Sequence, residues 1–111
     1  MTNEPGEFHF VEGFEWDEGN RAKSHDRHGV TAPEVEEVFG SRPLLVAEDQ
    51  KHSAQERRLY ALGQTASGRR LFVVFTLRES KIRPISARDM SRAERTEYER
   101  AQEPQADPQV P

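Results

Sequence analysis

Leu71-Phe72-Val73-Val74-Phe75-Thr76-Leu77 is the most apolar run in this 111-residue chain, and the fold turns on how it is read. Its β-branched and aromatic side chains suit the central strand of a sheet. Turn residues bound it: Ser67-Gly68 lies in a hairpin loop over 63–68, and Glu79-Ser80 follows. Arg57–Leu62 and Lys81–Ala87 therefore become its neighbours in an antiparallel meander. Alternation sets the faces. Arg58, Tyr60 and Leu62 share one face of the first strand. Leu71, Val73, Phe75 and Leu77 oppose Phe72, Val74, Thr76 and Arg78 in the second. In the third, strict alternation places Arg83, Ile85 and Ala87 opposite Ile82, Ser86 and Arg88.

Upstream, Phe8, Phe10, Phe14 and Trp16 at even positions predict a strand over 10–16. Asp17 then caps a helix over 18–28, and Gly29 stops it in the left-handed region. Thr31, Pro33 and Glu34 form a second start signal, a capping box with proline just inside the helix. Val35, Val38 and Phe39 give that helix its apolar stripe, and Gly40 ends it. Pro43 opens an edge strand at 44–47, followed by a polar loop over 49–55. Downstream, Ser91 and Glu94 make another capping box, for a helix running to about Ala101. The expected class is α+β, an antiparallel sheet packed by helices in the order β-α-α-β-β-β-β-α. One domain over 10–101 lies between a flexible start, 1–9, and a disordered tail, 102–111, that carries three prolines.

Only 33% of residues are hydrophobic and 32% are charged, so the core must be small and clustered. No apolar run approaches a membrane span, and the first residues are acidic rather than signal-like. With no cysteine there is neither disulfide nor thiolate chemistry, and the expected compartment is the cytoplasm. The net charge of -4 hides a strong asymmetry. Between Arg57 and Arg88 there are eight cations and one acid, Glu79. Those cations either grip an RNA backbone or pair with the acids of the helices.

Chemistry-bearing motifs are few. His25 and His28 are spaced i, i+3 on a helix without a third ligand type, so no metal is expected. No nucleophile elbow and no phosphate-binding glycine loop occurs, so no cofactor is expected either. His28 can cap a carbonyl or act as a general acid or base near neutrality.

Phe14-Glu15-Trp16-Asp17, Asn20, Lys23 and Arg27-His28-Gly29-Val30 resemble the opening signature of the BrnT toxin family. Glu34, Val35, Val38 and Phe39 continue the likeness. So do Arg58 with Gly63, Gly68-Arg69, Leu71–Phe75, Thr76, Arg78 and Ile82-Arg83-Pro84-Ile85-Ser86-Ala87-Arg88. Glu94, Arg95, Tyr98 and Glu99 resemble its closing helix, so the likeness covers about 14–100. The resemblance implies a RelE-like fold and the toxin half of a type II toxin–antitoxin pair. It implies a translation-blocking ribonuclease and a ribbon-helix-helix antitoxin of the BrnA kind. The toxin–antitoxin complex, a heterotetramer, would meet operator DNA only through the antitoxin. Two positions depart from the pattern: Pro84 where many members carry isoleucine, predicting an edge or an irregularity, and Ser24 where asparagine is frequent.

RNA can be cut without metal when its own 2′-hydroxyl attacks the adjacent phosphate, given proton transfer and cationic stabilisation. His28 is then the titrating candidate, with Lys23 second. Arg58, Arg78, Arg83 and Arg88 are the phosphate-side groups, and Arg57, Arg70 and Lys81 are left to solvent. Trp16, Tyr60 and Arg69 are candidates for holding bases and backbone, with core packing the competing role for Trp16. Two other readings stand beside the ribonuclease: a degenerate toxin acting only through antitoxin and operon control, and an orphan structural protein.

Overall fold

The computed structural model describes residues 2–3, 12–52 and 56–103. The expectations for the rest of the first eleven residues, Phe8 and Phe10 included, and for the tail from 104 onward lie outside the described residues. The elements are β1 (Thr2–Asn3), β2 (Gly13–Phe14), α1 (Glu18–His28), α2 (Ala32–Phe39), β3 (Leu45–Glu48), β4 (Arg58–Gln64), β5 (Arg70–Arg78), β6 (Lys81–Asp89) and α3 (Arg92–Gln102). A 3-10 turn, Gln50–His52, follows β3. The class is α+β, as the pattern of the chain implies.

All three helices start where the cap chemistry places them. Asp17, Thr31 and Ser91 each accept from the backbone N–H three residues on, and the residue at that position bonds back. Gly29 closes α1 at φ 64°, a conformation that costs a side chain dearly.

One sheet holds the strands in the order β1-β3-β4-β5-β6-β2. β5 lies between β4 and β6, both antiparallel to it, as its apolar run predicts. Strand β3 is not the edge: Thr2 and Asn3 pair with Val46 and Leu45. The early strand shrinks to Gly13–Phe14, which runs parallel to β6. Glu15 N–H donates to the Ile82 carbonyl, and the chain then turns away to cap α1 at Asp17.

The main core lies under α1 and α2, where Val30, Val35 and Val38 meet Leu59, Ala61, Leu71, Val73, Phe75, Ile82 and Ala87. A smaller cluster on the opposite face joins Tyr98 of α3 to Leu45, Leu62 and Met90. Gly63 belongs to β4 rather than to the hairpin loop. A Cβ there would stand 2.5 Å from Ser41 Oγ and 2.8 Å from Val38 Cγ1, so only glycine lets the end of α2 sit on the strand.

Pro84 marks the predicted irregularity. Phe75 pairs with Pro84 but Val74 pairs with Ser86, so Ile85 is the extra residue of a bulge. The insertion shifts the alternation by one. Arg83, Ser86 and Arg88 now share a face with Thr76, Val74 and Phe72, which strict alternation had split. Asn20 and Ser24 of α1, both buried, cover the outer edge of this strand. Asn20 Nδ2 donates to the Pro84 carbonyl at 2.9 Å, and Ser24 Oγ accepts from Ala87 N–H at 2.7 Å. An N–H at 84 would point the same way as that carbonyl, toward a donor; proline supplies none.

Candidate functional site

The sheet face turned away from α1 and α2 is only partly covered. α3 takes the end with Leu62 and Phe72. The other end presents Arg58 and Tyr60 of β4, Val74, Thr76 and Arg78 of β5, and Arg83, Ser86 and Arg88 of β6. Four arginines singled out in the sequence therefore do share one face, and the bulge at Ile85 is what adds Arg88 to Arg83.

Most of that charge is already answered. Arg83, one-fifth exposed, donates to Glu15 at 3.0 Å and to Asp17 at 2.6 Å. Arg78 binds Glu56 at 2.9 Å and reaches Glu15 at 3.5 Å. Arg88 forms a fork with Glu94, at 2.8 and 3.0 Å, while its guanidinium lies 4.1 Å from the Phe72 ring centre. The carboxylates register these partners. Asp17 is held below the ordinary range first by the Asn20 N–H and then by Arg83. Arg78 does the same to Glu56. Burial pushes Glu94 up, but Arg88 and the Ser91 N–H outweigh it. Arg58 also interacts within the chain, and its charge is felt at Tyr60. A phosphate on this face must displace a carboxylate to use these guanidiniums.

Beyond the edge of β6 the situation differs. A cleft of about 210 Å³ is lined by Lys23, Arg27 and His28 of α1 and by Ser86, Ala87 and Arg88 of β6. Three of the predicted catalytic residues, Lys23, His28 and Arg88, meet there, away from Arg58, Arg78 and Arg83. Among the described residues, the side chains of Lys23, Arg27 and His28 have neither ion pair nor hydrogen bond, and all three are exposed. This is where cations converge without an acid among the cleft's lining residues.

Two of the expected RNA contacts serve the fold. Trp16 packs against the main core, and its indole N–H donates to Glu36 at 2.8 Å. Arg69 donates to Asp89 at 2.8 Å, to Glu34 at 3.2 Å and to the carbonyls of His28 and Gly29. Its pKa is raised further above its already high value, chiefly by Asp89. Tyr60 stays on the open face, its ring 5.0 Å from Phe72. Arg70, assigned to solvent, instead anchors α3 through Glu99 at 2.6 Å. What the sequence reading missed is an acid–imidazole pair at the other edge of the face. Asp49, buried, bonds His52 Nδ1 at 2.7 Å. Its only signal in the chain is an Asp and a His three apart in a polar loop.

A protein-family model described as "Ribonuclease toxin, BrnT, of type II toxin-antitoxin system" matches residues 16–94. The chain belongs to the BrnT family. Among curated proteins, none matches it. The BrnT match begins at Trp16 and ends at Glu94, so it takes in the cleft, the four face arginines and the Asp49–His52 pair. Membership makes this chain a ribonuclease toxin by family, with RNA as the target class and an antitoxin as partner. No helix among the described residues is long and apolar enough to cross a membrane.

Proposed function

We propose that this BrnT-family chain is an endoribonuclease of RelE-like fold that cuts RNA with protein groups alone and so arrests translation in the cytoplasm. The observation that carries the reading is the β6 cleft, where Lys23 and Arg27 stand beside Arg88, Ser86 and His28. Uncompensated cations on an exposed edge attract a polyanion, whereas paired ones do so weakly. His28 and Lys23 line the same cleft, and Arg88, already stacked on Phe72, supplies a planar fork for phosphate. Across the face, Arg58, Arg78 and Arg83 extend the cationic track, and Tyr60 offers a ring for stacking. The partner is an antitoxin of the BrnA ribbon-helix-helix kind, which covers this track and carries the complex to operator DNA.

The saturation of Arg78, Arg83 and Arg88 by carboxylates favours the second reading, a degenerate toxin that binds its antitoxin but cuts nothing. Purified chain incubated with total RNA separates the two. Cleavage that drops at least tenfold in a Lys23→Ala, Arg27→Ala double variant, with antitoxin binding retained, supports the first. Intact RNA from folded wild-type chain, still bound by antitoxin, leaves the second.

A further inference from the structure

The Asp49–His52 pair has the arrangement of an oriented base. Asp49 Oδ2 lies 2.7 Å from His52 Nδ1, and the same carboxylate is close enough to the Tyr60 hydroxyl for the two to shift one another's ionisation. Burial and Asp49 hold the Tyr60 phenol above its ordinary pKa, so it stays protonated. Burial also pushes Asp49 up, yet His52 and Tyr60 leave it below the usual carboxylate value. An ionised Asp49 takes the Nδ1 proton side of the ring and leaves Nε2 as the acceptor. Nε2 has no partner among the described residues, and the side chain is 54% exposed.

Because Asp49 meets Tyr60, the pair faces the open sheet side, not the core under α1 and α2. There Tyr60 is directly opposite Val74, and Arg58 is opposite Thr76, which in turn is opposite Arg83. Thr76 Oγ1 is the one buried side-chain polar atom among the described residues without a hydrogen-bond partner. Its neighbour Glu56 is turned to Arg78 Nε at 2.9 Å. Together with Arg78, the Thr76 hydroxyl helps to hold the Glu56 carboxylate below its ordinary value, so the two groups lie close together. Asp49 also accepts from the His52 N–H at 3.3 Å, as the cap of a 3-10 turn would. A cap requires neither the ring bond nor the link to Tyr60.

We infer that His52, oriented by Asp49 and flanked by Tyr60, is a proton-transfer residue for RNA cleavage on the open sheet face. The inference rests on the ribonuclease reading above and moves proton abstraction away from the β6 cleft. β4 and β6 are separated by β5, roughly 10 Å at the usual strand spacing, so one phosphate does not meet both ends. The cleft residues Lys23, Arg27 and His28 then hold a neighbouring phosphate. In the reaction, His52 Nε2 takes the proton of the ribose 2′-hydroxyl, and the 2′-oxygen bonds to phosphorus. The bond from phosphorus to the 5′-oxygen breaks, and the proton ends on that oxygen. The products are a 2′,3′-cyclic phosphate and a 5′-hydroxyl, with no other reactant needed. Asp49 is the positioning residue, and Arg58, on the same sheet face, meets the phosphate.

The test uses the full chain, an RNA that it cuts, and the same RNA with 2′-O-methyl groups as a non-cleavable ligand. His52→Ala lowers the cleavage rate at least 100-fold, as loss of a general base does, and leaves affinity for the methylated RNA within twofold. Added free imidazole restores part of the lost rate. Equal cleavage by wild type and His52→Ala overturns the inference and leaves the ribonuclease reading standing. Full activity in His52→Gln, whose amide can keep the Asp49 bond, overturns it too, since the histidine is then only a cap. A folded wild type that cuts no RNA overturns both.

Discussion

Replacing Arg69 with methionine separates a residue that holds the fold from one that holds RNA. Its side chain is 28% exposed and ends in six contacts: two with Asp89, two with Glu34, and one each with the carbonyls of His28 and Gly29. Asp89 is 63% exposed, so that pair is screened and contributes only about 1 kcal/mol. Glu34 is 26% exposed and also serves as the partner of the Thr31 cap, so its bond to Arg69 adds about 1 kcal/mol. The two carbonyls at the end of α1 lose their donor, at roughly 0.5 kcal/mol or more each where water reaches them. Methionine retains much of the stem packing. The expected loss is about 3 kcal/mol in urea unfolding, with a fall in Tm of about 10 °C or more for a domain of this size. Affinity for RNA stays within threefold when measured well below the new Tm. A loss under about 1 kcal/mol together with a tenfold weaker RNA affinity refutes the structural role and returns Arg69 to the RNA grip.

Asn20→Ala removes bonds to the Glu15 and Pro84 carbonyls and to the Asp17 N–H, and it lowers unfolding free energy by about 3 kcal/mol at ~1 kcal/mol per bond; a urea titration showing less than ~1 kcal/mol contradicts the edge-covering role. Gly63→Ala forces a Cβ against Ser41 and the Val38 backbone, so the variant loses ~3 kcal/mol or fails to accumulate folded, and a wild-type Tm rules the clash out. Glu34, Glu56, Asp89 and Glu94 all sit below their ordinary values of 4.5 for Glu and 3.8 for Asp. Depressed carboxylates add stability that is full above the unfolded value and is lost as pH falls through the folded one. The urea midpoint is therefore flat near neutrality and declines below about pH 4.5, and a midpoint unchanged down to pH 3 contradicts these pairings. Cleft binding through Lys23, Arg27 and Arg88 makes RNA affinity fall with salt at a log–log slope of about −2, from roughly 0.7 per phosphate on a single strand; a flat response contradicts phosphate contacts there.

Local chemistry carried most of the fold into the sequence. Asp17, Thr31 and Ser91 announce their helices because a cap and its N3 partner are adjacent in the chain. The Leu71–Leu77 run announces the central strand for the same reason. What stayed hidden depends on residues far apart. Nothing near Ile85 marks it as the bulge residue, yet that insertion brings Arg83 and Arg88 to one face. Gly63 reads as a turn until the end of α2 is seated on it. Thr2 pairs with Val46 across more than forty residues.

The candidate site was legible only as residue types. The family register singles out Arg58, Arg78, Arg83 and Arg88, and the structure aligns them on one face. Acid partners of these arginines are scattered along the chain, Glu15 and Asp17 near the start, Glu56 in the middle and Glu94 toward the end, so charge counting along the sequence does not show which cations are paired. Among the described residues, Lys23 and Arg27 are cations without such a partner, and Arg27 stands out in the sequence only as part of a family motif. His52 carries no sequence signal of its own, because its partner matters through a 2.7 Å bond, not through spacing.

The central claim is that this chain cuts RNA through the ribose 2′-hydroxyl with side chains alone. Purified chain incubated with RNA in excess EDTA, followed by analysis of the new ends, tests it directly. Undiminished cleavage leaving 5′-hydroxyl and 2′,3′-cyclic phosphate ends is the expected result. Cleavage that appears only with added divalent metal and leaves 5′-phosphates contradicts it.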